Sequence, residues 1–239
     1  MSREQEKTTD VVISGVKELD DKLGGGIPFG SLCIIEGHSD SGKSVLSQHL
    51  TYGALVGANS SVAYYTSENT IKSMIAQMDS LSLFTLDHFL TDRLRVFPIR
   101  FGSDVHKSDK PYHRLMEHVS ALPKRFKLVI IDSVTLLIAY AGSMAVVDFF
   151  STCKSACDGG RTIMLIAHSY AFDEEIIPRI SALCDVHLRL KLEQVGDRMV
   201  KMLEVLKVRG AERRTGEVVS FEIEPRTGIR IVPLAKAKV

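Results

Sequence analysis

The stretch Gly37-His-Ser-Asp-Ser-Gly-Lys-Ser44 decides how the rest of the chain is read. It follows the apolar run Ser31-Leu-Cys-Ile-Ile-Glu36 and precedes Val45-Leu-Ser-Gln-His-Leu-Thr-Tyr-Gly-Ala-Leu-Val56. The first run is short, apolar and bounded by turn residues, which predicts a buried parallel strand. The second predicts a helix over residues 44–56. G-x-x-x-x-G-K-S set between a strand and a helix is a phosphate-binding loop, because the context that the pattern demands is present. Gly37 and Gly42 permit backbone angles that turn successive N–H groups inward on an anion. His38, Ser39, Asp40, Ser41 and Val45 complete the nucleotide-binding segment. The helix presents its positive end to the same phosphates. Lys43 is expected to reach the β- and γ-phosphates, and Ser44 to ligate Mg²⁺ through its hydroxyl. A Mg²⁺ site also needs a carboxylate at the end of a neighbouring strand. Asp132, closing the apolar run Leu128-Val-Ile-Ile-Asp132, is the candidate. Its other reading is a cap on the segment that follows.

Outward from the loop, strand and helix patterns alternate. Residues 14–23 have helical spacing, and Gly24–Gly30, with three consecutive glycines, a proline and a fourth glycine, form a turn. Residues 61–68 read as a strand, 71–81 as a helix, 93–100 as a strand and 101–111 as a polar loop. Residues 112–122 read as a helix, 126–133 as a strand, 145–157 as a helix and 162–169 as a strand. This alternation predicts an α/β fold whose parallel sheet is covered on both faces. The tail differs: residues 185–210 are two β-rich runs around a Gly196-Asp197 turn, and 216–233 add further short strands. The expected organisation is a flexible tail over residues 1–10 and a single domain over 11–239.

Bulk properties exclude several classes. The net charge of +1 gives no field that would attract nucleic acid or anionic lipid. The amino-terminal residues are polar and lack the apolar region of a signal peptide. The most apolar region, residues 128–142, is interrupted by Asp132 and falls short of the roughly 20 residues that a spanning helix needs. A cytoplasmic protein is expected, reaching a membrane only through a partner. Cys33, Cys153, Cys157 and Cys184 show neither a disulfide framework nor zinc-ligand spacing, and read as buried thiols in a reducing compartment.

Residues 19–46, Leu-Asp-Asp-Lys-Leu-Gly-Gly-Gly-Ile-Pro-Phe-Gly through the phosphate loop, resemble the RecA/KaiC superfamily of P-loop ATPases. The resemblance extends through residues 64–69, 128–135, 164–169, 184–190 and 206–210, nearly the whole chain. It implies a RecA-like P-loop fold, with a mostly parallel central sheet, helices on both faces and an antiparallel C-terminal β extension. It implies ATP and Mg²⁺ as cofactors. In that superfamily an acid at the end of the second strand activates the attacking water, and Glu68 occupies the place. Relatives often carry a second acid next to it. Here that position is Asn69, whose amide orients a water but cannot accept its proton. Glu68 reads alternatively as an acid at the amino end of a helix. Lys207 and Arg209, in Lys-Val-Arg-Gly, match a segment that contacts the nucleotide of a neighbouring subunit in a hexameric ring. A solvated basic strand face is the other reading. His168 matches a γ-phosphate sensor, or else caps a buried strand.

Within the superfamily, residues 24–32 and 42–48 most resemble accessory ATP-binding proteins of the archaellum, the archaeal flagellum. That implies a regulatory component whose Mg-ATP occupancy controls assembly, with slow or absent hydrolysis. The implied partners are a motor ATPase (FlaI/ArlI), a membrane platform protein and a ring or scaffold component. Two alternatives remain. A recombinase-like DNA-binding ATPase needs basic loops, but residues 138–147 are uncharged and 169–179 set three acids against one Arg. A self-phosphorylating KaiC-like signalling ATPase has no acceptor that the sequence selects.

Overall fold

The computed structural model describes residues 11–99, 112–139, 141–173, 175–195, 198–211 and 218–233. The expected tail (1–10), the polar loop (101–111) and the Gly196-Asp197 turn lie outside the described residues. In chain order come β1 (Val11–Val12), α1 (Lys17–Lys22), β2 (Ile27–Pro28), β3 (Leu32–Gly37), α2 (Lys43–Val56) and β4 (Ser61–Thr66). They are followed by α3 (Ile71–Ser80), α4 (Leu86–Leu90), β5 (Leu94–Pro98), α5 (Tyr112–Ala121), β6 (Phe126–Asp132) and α6 (Thr135–Ile138). Then come α7 (Ser143–Asp158), β7 (Thr162–His168), α8 (Ile177–Leu183), β8 (Val186–Val195), β9 (Arg198–Val208), β10 (Val218–Glu224) and β11 (Gly228–Ile231).

Nine strands form one sheet in the order β11-β10-β9-β8-β3-β7-β6-β4-β5. From β8 to β5 every pairing is parallel. From β8 to β11 every pairing is antiparallel. The parallel strands read as unbroken apolar runs because both faces are covered. Cys33 and Ile35 of β3 face a core shared with Leu46 and Leu50 of α2. Leu32 and Ile34 face the opposite core, with Phe149 and Phe150 of α7. Strand β6 divides the same way, Leu128 and Ile130 against Val129 and Ile131.

Register then positions the functional residues. Gly37 pairs with His168, and Asp132 with both Thr66 and Ile166. The phosphate loop, Asp132 and His168 therefore leave the sheet at one carboxyl edge, where open α/β sheets bind ligands.

Two details depart from the expectations, while the cysteines follow them. Residues 24–30 are more than a turn, since Ile27 and Pro28 pair with Val12 and Val11 in a separate two-stranded sheet. Helices α4, α6 and α8 have four to seven residues each, too few for a helical period to stand out. All four cysteines are free and buried, and burial raises each thiol above its ordinary value. No helix among the described residues is long and apolar enough to cross a membrane.

Candidate nucleotide-binding site

The loop between β3 and α2 is built by two glycines with different tasks. Gly42 stands at the amino end of α2 with φ 96°, a left-handed angle that glycine adopts without steric cost. Gly37 lacks a left-handed angle, contrary to the sequence expectation. It is a glycine because a Cβ there would lie 2.4 Å from the Leu190 carbonyl oxygen and 2.7 Å from Ser41 Oγ. Strand β8 thus presses directly on the root of the loop. The Ser41 hydroxyl and the Lys43 ammonium both donate to the His38 carbonyl, at 2.8 and 2.6 Å, and curl the loop on itself. Burial pulls the Lys43 ammonium below its ordinary pKa, while Asp132, Glu68 and Asp40 push it back up.

Beneath the loop, Asp132 is almost fully buried. Tyr64 donates its hydroxyl to Asp132 Oδ2 at 2.6 Å, and Ser47 Oγ lies 2.8 Å from the Tyr64 oxygen. Burial raises the Asp132 pKa, partly offset by hydrogen bonds from Tyr64 and Ser44. Ser44 and Asp132 therefore face the same cleft, one neutral and one acidic oxygen donor. That all-oxygen pair fits Mg²⁺, a hard cation usually held by one or two protein oxygens plus phosphates and waters. No cluster of three or more His, Cys, Asp or Glu suited to a metal occurs among the described residues. Any cation here would accordingly take its remaining ligands from phosphates and waters.

A cleft of about 560 Å³ opens above the loop, lined by Ser39, Asp40, Gly42, Lys43, Ser44, Val45, Glu68, Asp132 and His168. The structure brings these expected residues together. His168 Nδ1 lies 3.0 Å from Thr135 Oγ1, and its ring stacks on Tyr170 with centroids 5.1 Å apart. Burial and the Lys43 charge lower its pKa. Asn69 does not line the cleft; its side-chain oxygen accepts from Ser73 Oγ at 3.3 Å beside the start of α3. Lys207 and Arg209 lie at the far end of β9. Val208 pairs with Val186, and β8 runs parallel to β3, so both cations sit at the amino edge of the sheet, away from this chain's own loop. Lys207 donates to the carbonyls of Ser181 and Cys184, at 2.8 and 2.5 Å, closing the carboxyl end of α8. Arg209 is largely exposed, 3.7 Å from Asp185.

The sequence reading missed Gln77, Tyr170, Lys201 and Ile223, which also line the cleft. Lys201 and Ile223 come from β9 and β10, far along the chain from any motif. Phe221 and Ile223 back the loop so closely that a Cβ on Gly42 would lie 3.2 Å from the Phe221 ring. Only the way the antiparallel extension folds over α2 could reveal them.

A phosphate loop after β3, a buried carboxylate at the end of β6, one strand removed across β7, and an acid-lined cleft above them define a P-loop nucleotide-binding protein. The family model described as "ATPase: KaiC" matches residues 12–236. A protein named archaeal flagellar ATP-binding protein FlaH from Methanocaldococcus jannaschii is 31% identical over 216 residues, covering 90% of this chain and 91% of that protein. The protein of the same name from Sulfolobus acidocaldarius is 28% identical over 231 residues, 95% of this chain and 99% of its own. The crystal structure of the flagellar accessory protein FlaH from M. jannaschii superposes with a TM-score of 0.80 at 28% identity, covering 94% of this chain and 99% of that one. The chain belongs to the KaiC family of ATPases and, within it, to the FlaH proteins. The RecA-like fold with its antiparallel extension is the one expected.

Proposed function

We propose that this chain is an ATP-binding regulatory component of the archaeal flagellar motor. In this reading Mg-ATP occupies the cleft, controls assembly with the motor ATPase, and is hydrolysed slowly or not at all. One observation carries the proposal: Lys43, Ser44 and Asp132 converge beneath a loop whose backbone is curled for an anion, in a cleft with room for a nucleotide. The names of its FlaH relatives supply the flagellar context.

Bound Mg²⁺ would supply charge neutralisation at the phosphates, with Ser44 and Asp132 as its protein ligands. Lys43 would exchange its bond to the His38 carbonyl for the phosphates. Glu68, at the cleft, would hold the proton acceptor's place for an attacking water. Asn69, engaged by Ser73, offers no second base, which favours slow turnover. Lys207 and Arg209 are too far from their own loop to serve it, so their nucleotide contact would be made across a subunit boundary in a homo-oligomeric ring, a hexamer by resemblance. The remaining partners are a membrane platform protein and a ring or scaffold component, with the chain cytoplasmic and peripheral at the motor. Residues 11–239 act in this reading as one domain.

Calorimetry of Mg-ATP binding to wild type and Lys43→Ala tests the proposal. Wild type should release heat with a defined stoichiometry, and the variant should release none. Equal affinity in the two proteins would remove the site.

A further inference from the structure

The corner between α8 and β8 is tied to both ends of β3 and also to the end of β9. At the loop end of β3, Glu36 Oε1 accepts from His187 Nε2 at 2.8 Å and from Arg189 Nε at 2.9 Å. At the other end, the Leu32 N–H donates to Asp185 Oδ2 at 2.9 Å. Toward β9, His187 Nδ1 lies 2.9 Å from Ser181 Oγ, while Lys207 Nζ donates to the Ser181 carbonyl at 2.8 Å. The Arg209 N–H donates to the Asp185 carbonyl at 2.9 Å. The pairing of β8 with β9 slips at His187, which faces Lys207 while Leu188 faces Val205. This bulge leaves Leu206 unopposed and re-aims the end of β9.

Glu36 and His187 have side chains only 2% exposed. Such a buried polar pair stabilises a fold little better than apolar residues of the same volume, so its use lies elsewhere. Glu36 immediately precedes Gly37, where β8 leaves no room for a methyl group. In a close-packed interior, a shift in the root of the loop must displace what it touches. Here it touches β8 and, through Glu36, the imidazole that holds Ser181 against Lys207.

We propose that His187 is a positioning residue that couples this chain's own phosphate loop, through Glu36 and Ser181, to Lys207 and Arg209 and hence to the nucleotide of a neighbouring copy. The inference rests on the reading of Lys207 and Arg209 as contacts across a subunit boundary. It adds a physical link between successive sites, by which filling one biases the cations delivered to the next. Arg189 secures Glu36 when His187 is replaced, so the loop's own strand keeps one partner.

The test titrates full-length protein with Mg·ATPγS, a slowly hydrolysed analogue, and follows nucleotide binding and self-association in parallel, the latter by sedimentation. Wild type should associate more strongly when the nucleotide is bound. His187→Leu should bind nucleotide within about threefold of wild type, while its nucleotide-promoted association weakens about tenfold. His187→Gln, which restores an N–H donor toward Glu36, should recover most of that loss. Arg209→Ala reports separately on the subunit contact, because its exposed side chain can be removed without uncapping α8. If His187→Leu associates like wild type while Arg209→Ala does not, the coupling falls and the contact reading stands. If Arg209→Ala also associates like wild type, both fall. Loss of binding and association together in His187→Leu, with no recovery in His187→Gln, would make His187 a packing residue and overturn the proposal.

Discussion

A methyl group added at residue 37 would meet the Leu190 carbonyl oxygen at 2.4 Å. Gly37→Ala should therefore displace either the loop or β8, at a cost of about 2 kcal/mol or more, visible in urea unfolding and as a loss of Mg-ATP affinity. Asp132 poses the opposite problem, a buried acid whose ionised form the fold disfavours. Its folded pKa lies above its unfolded value, so ionisation costs stability as the pH rises above the ordinary carboxylate range. Asp132→Asn keeps an oxygen for the Tyr64 hydroxyl and removes the charge. The nucleotide-free variant should melt a few degrees higher than wild type while losing the chelator-sensitive part of its ATP affinity. Glu68→Gln should lower single-turnover hydrolysis with ATP binding intact; unaltered turnover would assign Glu68 to the start of α3. At this scale the sequence was legible in placement: the motif lysine and hydroxyl, Lys43 and Ser44, and the strand-end carboxylate Asp132 line one cleft. Lys201 and Gln77 were not legible, because a lysine on a strand and a glutamine on a helix have no spacing that marks them as cleft residues.

Among the elements, α2 is fastened from two sides through one imidazole. His49 Nδ1 lies 3.3 Å from the Ser14 carbonyl, and His49 Nε2 accepts the Ile229 N–H at 3.1 Å. The ring must be neutral to accept at Nε2 while donating at Nδ1. Burial lowers its pKa. A folded pKa below the unfolded value means that its contribution is complete above the unfolded value and is lost as the pH falls toward the folded one. Between roughly pH 7 and pH 5, urea stability should decline, and His49→Gln should flatten that decline. His88 and His168 are shifted in the same direction, so the difference between wild type and variant is the quantity to measure. Elements such as β3, α2 and β6 were readable because burial on one or both faces writes a clear apolar pattern. Helices α4 and α6 were not, having five and four residues, and the β1–β2 pairing was hidden because two residues per strand show no alternation.

In the molecule as a whole, a parallel core and an antiparallel extension meet at β8. The change of direction was legible in the two β-rich runs read as a hairpin around Gly196-Asp197, and β8 and β9 pair antiparallel as that reading requires. What the hairpin signal could not say is that the extension folds back over the phosphate loop. Phe221 is buried in the core shared with α2 and rests against Gly42. Phe221→Ala should cost about 3–5 kcal/mol in urea unfolding and weaken Mg-ATP binding measurably at a temperature where the variant is still folded. The order of synthesis gives this contact a further consequence. Residues 37–44 emerge from the ribosome while their backing, residues 219–223, is still untranslated. A nascent chain arrested at residue 211 should retain no Mg·ATP, whereas release of the finished polypeptide should permit capture. The site would thus become competent to hold nucleotide only after synthesis has passed β10.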